Sequence, residues 1–474
     1  MNTIIAGGAL ASLVAADALA SQGRPVTLLT SGSHVGGRHA GIRADGLAFD
    51  LGLTAFEFGH DDLCAAHDPR TYDPDVRNDW GRFAGIVRQW VEDELQLPLV
   101  RMPAMELWYD GTVVPDFVCD TNIHGLSMLP GALRERIFAD VVSLPADRES
   151  LMHARNKHAD GLWDTLDLEV ASLANHGRTL HDRFLAPFLR KMIGPNGAPR
   201  SLARYSRSIG MPLYWPETVR RGIAGDRSAM PATPFHVVAG LSMGQMVAQL
   251  RERLERSPQV SWRTGTITNV APTAMGVAVT QGDTVYEGRE LLWGGGLANF
   301  HRAAGLRPPE KLDRERRDVA CVTIDARACR RPDTGTLIVP AGVALPYCVT
   351  NQSRNGGEDT SRMRLTLEYA WGGVPVAPDQ ALRKVAESLM TLGFISDPSV
   401  VRLHAVARVE EGLTVPSFSN QSRTLGARTH ALNAGIPMRL IGPAAGFSVA
   451  TIGDQVVQGL QAAVMAQEMV AVAA

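Results

Sequence analysis

A chain of 474 residues exceeds what one ordinary hydrophobic core supports, so two intimately packed domains are expected. Its 47 Lys and Arg nearly balance 49 Asp and Glu, and no basic stripe with interleaved aromatics occurs, which argues against a nucleic-acid partner. The five cysteines (Cys64, Cys119, Cys321, Cys329 and Cys348) are scattered, suggest neither a metal site nor a disulfide framework, and read as small buried hydrophobes.

The first strand is expected at Thr3-Ile4-Ile5-Ala6, a short apolar run closed by Gly7-Gly8. That start leaves no room for a signal peptide ahead of it, and a cytoplasmic protein is expected. Ala9 to Ser21 carries good helix formers, Gly23 sits at the C-terminal stop, and Pro25-Val26-Thr27-Leu28-Leu29 reads as a second strand. This is the βαβ layout that binds dinucleotides, in which three glycines serve the turn, the approach of the pyrophosphate and helix–sheet packing. Two registers are possible, Gly7-x-Ala9-x-x-Ser12 and Ala6-x-Gly8-x-x-Ala11. The first is preferred, because it puts Leu13, Gly23 and the end of the second strand in their usual places. It makes Ala9 face the pyrophosphate, Ser12 the packing position, and Thr30 the slot where an acidic residue takes the ribose hydroxyls. A methyl group at Ala9 pushes the phosphate outward. Losing the carboxylate at Thr30 forfeits a charge-assisted hydrogen bond worth about 1.5–3 kcal/mol.

Val35-Gly36-Gly37-Arg38 follows the second strand, and Phe49-Asp50-Leu51-Gly52 comes a short loop later. Two glycines bring backbone N–H groups close to an anion, and the arginine adds charge. The pairing resembles the large flavoprotein group that contains amine oxidases, phytoene desaturases, protoporphyrinogen oxidase and UDP-galactopyranose mutase. The resemblance implies that Gly36, Gly37 and Arg38 lie against the diphosphate of FAD.

His60 to Asn78 is rich in Asp, Pro and His with little periodicity and reads as an irregular loop; His60, Asp61, Asp62, His67 and Asp68 lack the spacing of a metal site. Trp80 to Leu95 predicts a helix, and Met105 to Val118 a hairpin turning at Asp110-Gly111. Pro130 to Leu144 and Thr165 to Ser172 are predicted helical. Pro187, Phe188, Lys191 and Gly194, followed by Ser201-Leu202, Arg204 and Arg207, resemble a helix and the segment after it in the protoporphyrinogen oxidase and galactopyranose mutase branch. Arg190, Lys191, Arg204 and Arg207 read either as a solvated basic face or as contacts for an anionic substrate.

Phe235 to Leu254 reads as strand, turn and helix, and resembles the family's return to the cofactor domain. Strands follow at Val260 to Trp262, Ile267 to Val270, Gly276 to Val279, Thr284 to Tyr286 and Glu290 to Trp293, the last closed by Gly294-Gly295-Gly296. The resemblance places Ile267 where backbone atoms meet the flavin's adenine. Further strands are predicted at Ala320 to Ile324, Thr336 to Val339 and Met363 to Tyr369, with a helix at Ala381 to Leu392. His404 to Ala407 and Thr414-Val415-Pro416 resemble the family's last crossing strand and proline turn.

Arg439-Leu440-Ile441-Gly442 is a strand into a glycine turn, and Ser448 to Ala463 a helix. Ile452 to Ala463 resembles the Asn-x-Asp-x-x-Val-x-Gly-x-x-Ala-Ala segment of the same branch, with Ile452 in the Asn slot. The resemblance implies that Asp454 and its helix N-terminus face the flavin ring and that Gly442 meets the diphosphate. Pro443 departs from it, supplying neither charge nor N–H. The tail to Val472 is interrupted by Gln458, Gln461, Gln467 and Glu468, which suits a packing helix better than a membrane span.

The expected fold is α/β, a Rossmann-like FAD-binding domain (1–60, 230–315 and 410–474) interleaved with a mixed α+β substrate domain (61–229 and 316–409). The resemblance implies an FAD-dependent oxidoreductase acting on a small molecule. Its cofactor contacts would be Gly7, Gly8, Ala9, Ser12, Thr30, Gly36, Gly37, Arg38, Ile267, Gly442 and Asp454. Tyr205, Tyr214, Trp215, Tyr347, Glu368 and Tyr369 are candidates for the substrate pocket, and no catalytic set stands out by spacing. Two alternatives stay open: a non-redox flavin isomerase or mutase, and a descendant without flavin, a cofactor-less enzyme or a partner subunit. The second rests on the departures at Ala9, Ser12, Thr30 and Pro443. Self-association is open as well.

Overall fold

The computed structural model describes residues 2–32, 34–58, 67–74, 80–144, 165–230, 235–370, 376–447 and 451–471; the expected loop from His60 to Asn78 lies mostly outside them. Strands Thr3–Ala6, Val26–Thr30, Val260–Thr264, Glu290–Trp293 and Met438–Leu440 form one all-parallel sheet. Thr3–Ala6 lies at its centre, between Val26–Thr30 and Glu290–Trp293; Val260–Thr264 and Met438–Leu440 are the edges. Side chains alternate between two cores, Ile5, Leu28 and Leu292 on one face and Ile4, Leu29 and Leu291 on the other. Helices Leu10–Ser21, Met243–Arg256 and Ile452–Ala471 cover the first face. The antiparallel ribbon 267–288 and helix Leu297–Ala303 cover the second. Burial on both faces is why these strands are apolar runs rather than alternating ones.

Leu10–Ser21 is apolar on nearly every side, as a helix buried all round must be. Its buried Asp17 pairs with Arg253 at 2.7 Å, tying it to Met243–Arg256. Burial raises the Asp17 pKa, and Arg253 opposes that rise. The last helix crosses the first at Gly459, where a Cβ would meet Val14 Cβ at 2.6 Å and the Ala11 carbonyl at 2.7 Å.

A second, seven-stranded sheet runs Val401–Thr414, Arg314–Asp325, Arg362–Tyr369, Cys348–Asn351, Thr336–Ile338, Glu106–Tyr109, Thr112–Pro115. Its neighbours are antiparallel except Thr336–Ile338 beside Glu106–Tyr109, so the sheet is mixed. The predicted hairpin forms its far edge; Asp110 (φ 47°) and Gly111 (φ 80°) both adopt the positive φ that a two-residue turn requires. Helix Pro378–Thr391 packs on one face, and helices Gly131–Val142, Leu168–Leu180 and Ala186–Gly197 supply the core against the other.

Three expectations are corrected. The helix expected at Thr165 to Ser172 begins at Leu168 and runs to Leu180. Phe418–Leu432 is a helix that the sequence reading did not anticipate. Lys191 is no solvated basic residue: its ammonium donates to the carbonyls of Val339, Ala341 and Pro346 at 2.8, 3.1 and 3.0 Å, filling its three donor positions.

The Gly459 crossing is testable. Gly459→Ala is expected to lower folding stability by roughly 1–3 kcal/mol through overpacking, read as a lower denaturant midpoint at unchanged slope. An unchanged midpoint would mean that the crossing yields easily.

Candidate functional site

Two turns meet above the parallel sheet. Gly7 (φ +118°) ends the first strand, and a Cβ there would meet Gly295 N at 2.5 Å. Gly36 donates its N–H to the Gly8 carbonyl at 2.6 Å, and Ala9 bridges to Gly36, so the fingerprint turn and the Gly-Gly-Arg turn are one structure. Gly36 (φ +97°) has no room for a side chain, since Val247 Cγ1 would lie 2.6 Å from its Cβ. Gly37 is different: at φ +58° its Cβ would meet nothing within 4 Å, so the turn borders open space.

Arg38 reaches from that turn into a cavity of about 260 Å³, lined from the parallel-sheet side by Arg38, His39, Thr451 and Ile452. From the mixed sheet come Arg317, Ile338, Tyr347, Cys348 and Glu368; helical segments add Phe188, Met192 and Arg207. A wider groove of about 680 Å³ along the edge strand Val260–Thr264 is open to solvent and lacks such a convergence of charged groups. The Arg38 side chain is accessible yet lies deep in the protein. Burial and then Arg317 lower its pKa to about 10, while Asp454 opposes them.

The cavity wall is a charged network. The Glu368 carboxylate accepts from the Leu53 N–H at 3.1 Å and the Tyr347 hydroxyl at 2.5 Å, with Arg317 at 3.5 Å. Burial raises the Tyr347 pKa well above its ordinary value, keeping it a neutral donor. Arg317 lies over the Tyr347 ring, and its buried Nε has no partner among the described residues. Arg207 pairs with Glu57. His39 is buried, and burial followed by Arg38 holds its pKa well below the imidazole range. Its Nε2 accepts from the Gln455 amide at 2.9 Å, which leaves the proton on Nδ1, without a partner among the described residues.

Asp50 joins the two sheets beneath this site. Its carboxylate accepts from the N–H groups of Met243 and Gly244 at 3.0 and 3.1 Å, the first two residues of Met243–Arg256. Its main chain is held from the mixed-sheet side: Asp50 N–H donates to Gln352 Oε1 at 3.2 Å, and Gln352 Nε2 to the Asp50 carbonyl at 3.1 Å.

Gly7, Gly8, Ala9, Gly36, Gly37 and Arg38 come together, and of the predicted cofactor residues Arg38 lines the cavity. Thr30 is 1% exposed; its hydroxyl donates to the Gly32 carbonyl and accepts from Trp262 Nε1, each at 3.0 Å. Ser12 is fully buried against Gly294. Ile267 pairs with Gln281 at the start of the ribbon. Gly442 donates its N–H to Gln458 Oε1 at 2.7 Å. The Asp454 carboxylate accepts from Thr451 Oγ1 at 2.7 Å and Tyr72 Oη at 2.8 Å, so it caps its own helix while Thr451 and Ile452 face the cavity.

Of the candidate tyrosines, Tyr347 lines the cavity. Tyr214 is buried in the helical core, its hydroxyl donating to the Phe117 carbonyl at 2.8 Å, and Tyr369 is buried against Ser388. Tyr205 packs on Phe447 at a separate surface depression. His39, Glu57 and Arg317 were not singled out from the sequence. Arg317 did carry a signal, lying two and four residues before buried Val319 and Cys321 on one strand face.

Among the described residues no three of His, Cys, Asp and Glu gather into a group able to hold a metal, and no helix is long and apolar enough to cross a membrane. Residues 5–67 match the family model for an NAD(P)-binding Rossmann-like domain. No curated protein sequence matches the chain. Solved structures do resemble it along its length. A reduced UDP-galactopyranose mutase aligns at TM-score 0.71 and 15% identity, over 99% of this chain and 94% of that one. A putrescine oxidase bound to putrescine aligns at 0.60 and 14%, over 99% of each chain. An oxidoreductase from Methanosarcina mazei aligns at 0.56 and 12%, over 98% of this chain and 100% of that one. The fold is therefore the one shared by that mutase and that putrescine oxidase, a Rossmann-type parallel sheet joined to a large mixed sheet.

Whether the residues fit a flavin divides by subsite. Open space beside Gly37, and an accessible Arg38 that makes no ion pair among the described residues, fit a phosphate and a group extending into the cavity. The Thr30 end does not fit a ribose, because its polar atoms are engaged and covered.

The Asp50 carboxyl has its pKa raised to about 6 from 3.8, chiefly by burial. The folded protein thus holds this proton more tightly than the unfolded chain. The group's stabilising contribution is full below about pH 4 and is lost as pH rises through about 6. Relative to Asp50→Asn, wild type should therefore lose stability over that interval, as measured by denaturant unfolding at a series of pH values. A difference independent of pH would contradict this.

Proposed function

We propose that the protein is a flavin-dependent oxidoreductase, with FAD as the expected cofactor, acting on a small molecule in the 260 Å³ cavity. The observation that carries this reading is Arg38, an accessible cation beside open Gly37 on the cavity wall. Gly37 and Arg38 would hold the phosphate, through a backbone N–H and charge, while Gly36 ties the turn to Gly8. The helix opening at Ile452 would present its positive end to the ring. When bound, the flavin would supply hydride-accepting chemistry.

The chain's own groups would bind and orient the substrate. Tyr347 stays protonated, and Arg317, only loosely paired to Glu368, supports a substrate that carries negative charge. Ile338 on the mixed sheet and Phe188 and Met192 on helix Ala186–Gly197 would exclude water from the cavity, which would strengthen these electrostatic contacts.

A second reading, a flavin-free descendant of the fold, is supported by the engaged Thr30 hydroxyl and by the Gly442 N–H already given to Gln458. A yellow protein that releases flavin on denaturation decides for the first reading. A colourless protein whose melting temperature is unmoved by FAD decides for the second. Arg38→Met is expected to weaken flavin binding about tenfold to a hundredfold with the far-ultraviolet dichroism unchanged. Oxygen uptake with carboxylate- and amine-bearing substrates separates an oxidase from a non-redox mutase.

A further inference from the structure

In a βαβ nucleotide site, an acidic residue at the end of the second strand takes the ribose hydroxyls. Thr30 occupies that position, and it is more than a lost carboxylate. Its hydroxyl donates to the Gly32 carbonyl and accepts from the Trp262 indole. Its carbonyl accepts from the Gly265 N–H at 2.8 Å and from Gln281 Nε2 at 3.1 Å. The Gln281 amide also donates to the Gly265 carbonyl at 2.8 Å. With Thr30 1% exposed, this end of the sheet is sealed by protein atoms that satisfy one another.

The seal is built by the fold and does not depend on one side chain. Trp262 lies on the edge strand Val260–Thr264, whose parallel register beside Val26–Thr30 sets Trp262 opposite Leu28 and Thr264 opposite Thr30. The indole Nε1 reaches forward to Thr30 while Arg251 lies over the ring. Gln281 comes from the ribbon, opposite Ile267. A ribose seeking Thr30 would have to break the Trp262 bond and gain no charge in return. At the Gly37 end nothing is sealed.

We propose that this chain recognises a flavin through its phosphate and not through the ribose of its adenosine, so that FMN serves it as well as FAD. The proposal rests on the flavin reading above. The test is titration of the flavin-stripped full-length protein with FMN and with FAD, followed by quenching of flavin fluorescence and by thermal shift. The expected result is two dissociation constants within about threefold of each other, where an intact ribose contact would favour FAD by about tenfold to a hundredfold. FAD binding at least tenfold tighter overturns the proposal and leaves the flavin reading standing. Binding of neither ligand overturns both. Thr30→Glu combined with Trp262→Ala, which restores a carboxylate and clears the indole, is expected to tighten FAD at least tenfold and leave FMN within twofold. Equal effects on both ligands in that variant overturn the assignment of the seal to this pair.

Discussion

The geometry of the cavity depends on Asp50. One carboxylate accepts the first two N–H groups of Met243–Arg256, while the main chain of the same residue is gripped by Gln352 from the mixed sheet. A carboxylate at a helix N-terminus is favourably placed, since it satisfies orphan donors and opposes the helix dipole. Here that local preference also sets the distance between two sheets. Arg38 and Thr451 on one side and Arg317, Tyr347 and Glu368 on the other face each other above this junction. The raised pKa of Asp50 is the cost of burying the charge.

Around that junction the residues expected to form a nucleotide site depart unevenly from the fingerprint. The two glycine turns remain hydrogen-bonded to each other, and Gly37 and Arg38 face space. Ala9 and Ser12 have become packing positions: Ala9 Cβ lies near Gly442, and the Ser12 hydroxyl is buried against Gly294. Those changes, with Thr30 and Pro443, are spread through the sequence yet border one elongated site. At Ala9, Ser12 and Thr30 an internal contact stands where the fingerprint would place a ligand contact. Arg38 departs from this pattern: it lines the cavity, and among the described residues it makes no ion pair with a carboxylate.

The parallel sheet was legible because strands buried on both faces are short apolar runs closed by glycine, and because two such runs flanked a helix with a clear stop. The helix Phe418–Leu432 was not. Its buried positions are Asn420, Thr424, Ala427 and Ala431, a helical stripe of polar and small residues. Asn420 earns its place by donating to the carbonyls of Asp313 and Val415, a pairing no periodicity of apolar residues announces. The site was half legible for a related reason. Gly-Gly-Arg is a local motif, and Arg207 and Glu368 were named singly from the sequence, but Glu57 and Arg317 join them in one wall only after both sheets form. The tyrosines were poor guides because a large ring fills a core as readily as it lines a pocket: Tyr214 and Tyr369 do the former, Tyr347 the latter.

The central strand Thr3–Ala6 has as a neighbour Glu290–Trp293, which in turn pairs with Met438–Leu440. In chain order the first βαβ unit, Thr3–Thr30, comes well before Val260–Thr264, Glu290–Trp293 and Met438–Leu440, the strands that complete its sheet. Its first helix is apolar on nearly every side and is covered by the last helix, Ile452–Ala471, so an incomplete chain exposes a sticky surface early and hides it late. Such long-range closure makes folding slow relative to local hairpin formation. It also means that a chain cut before Met438 lacks one edge of the parallel sheet and the helix start that borders the cavity, so the cavity wall is left open on that side.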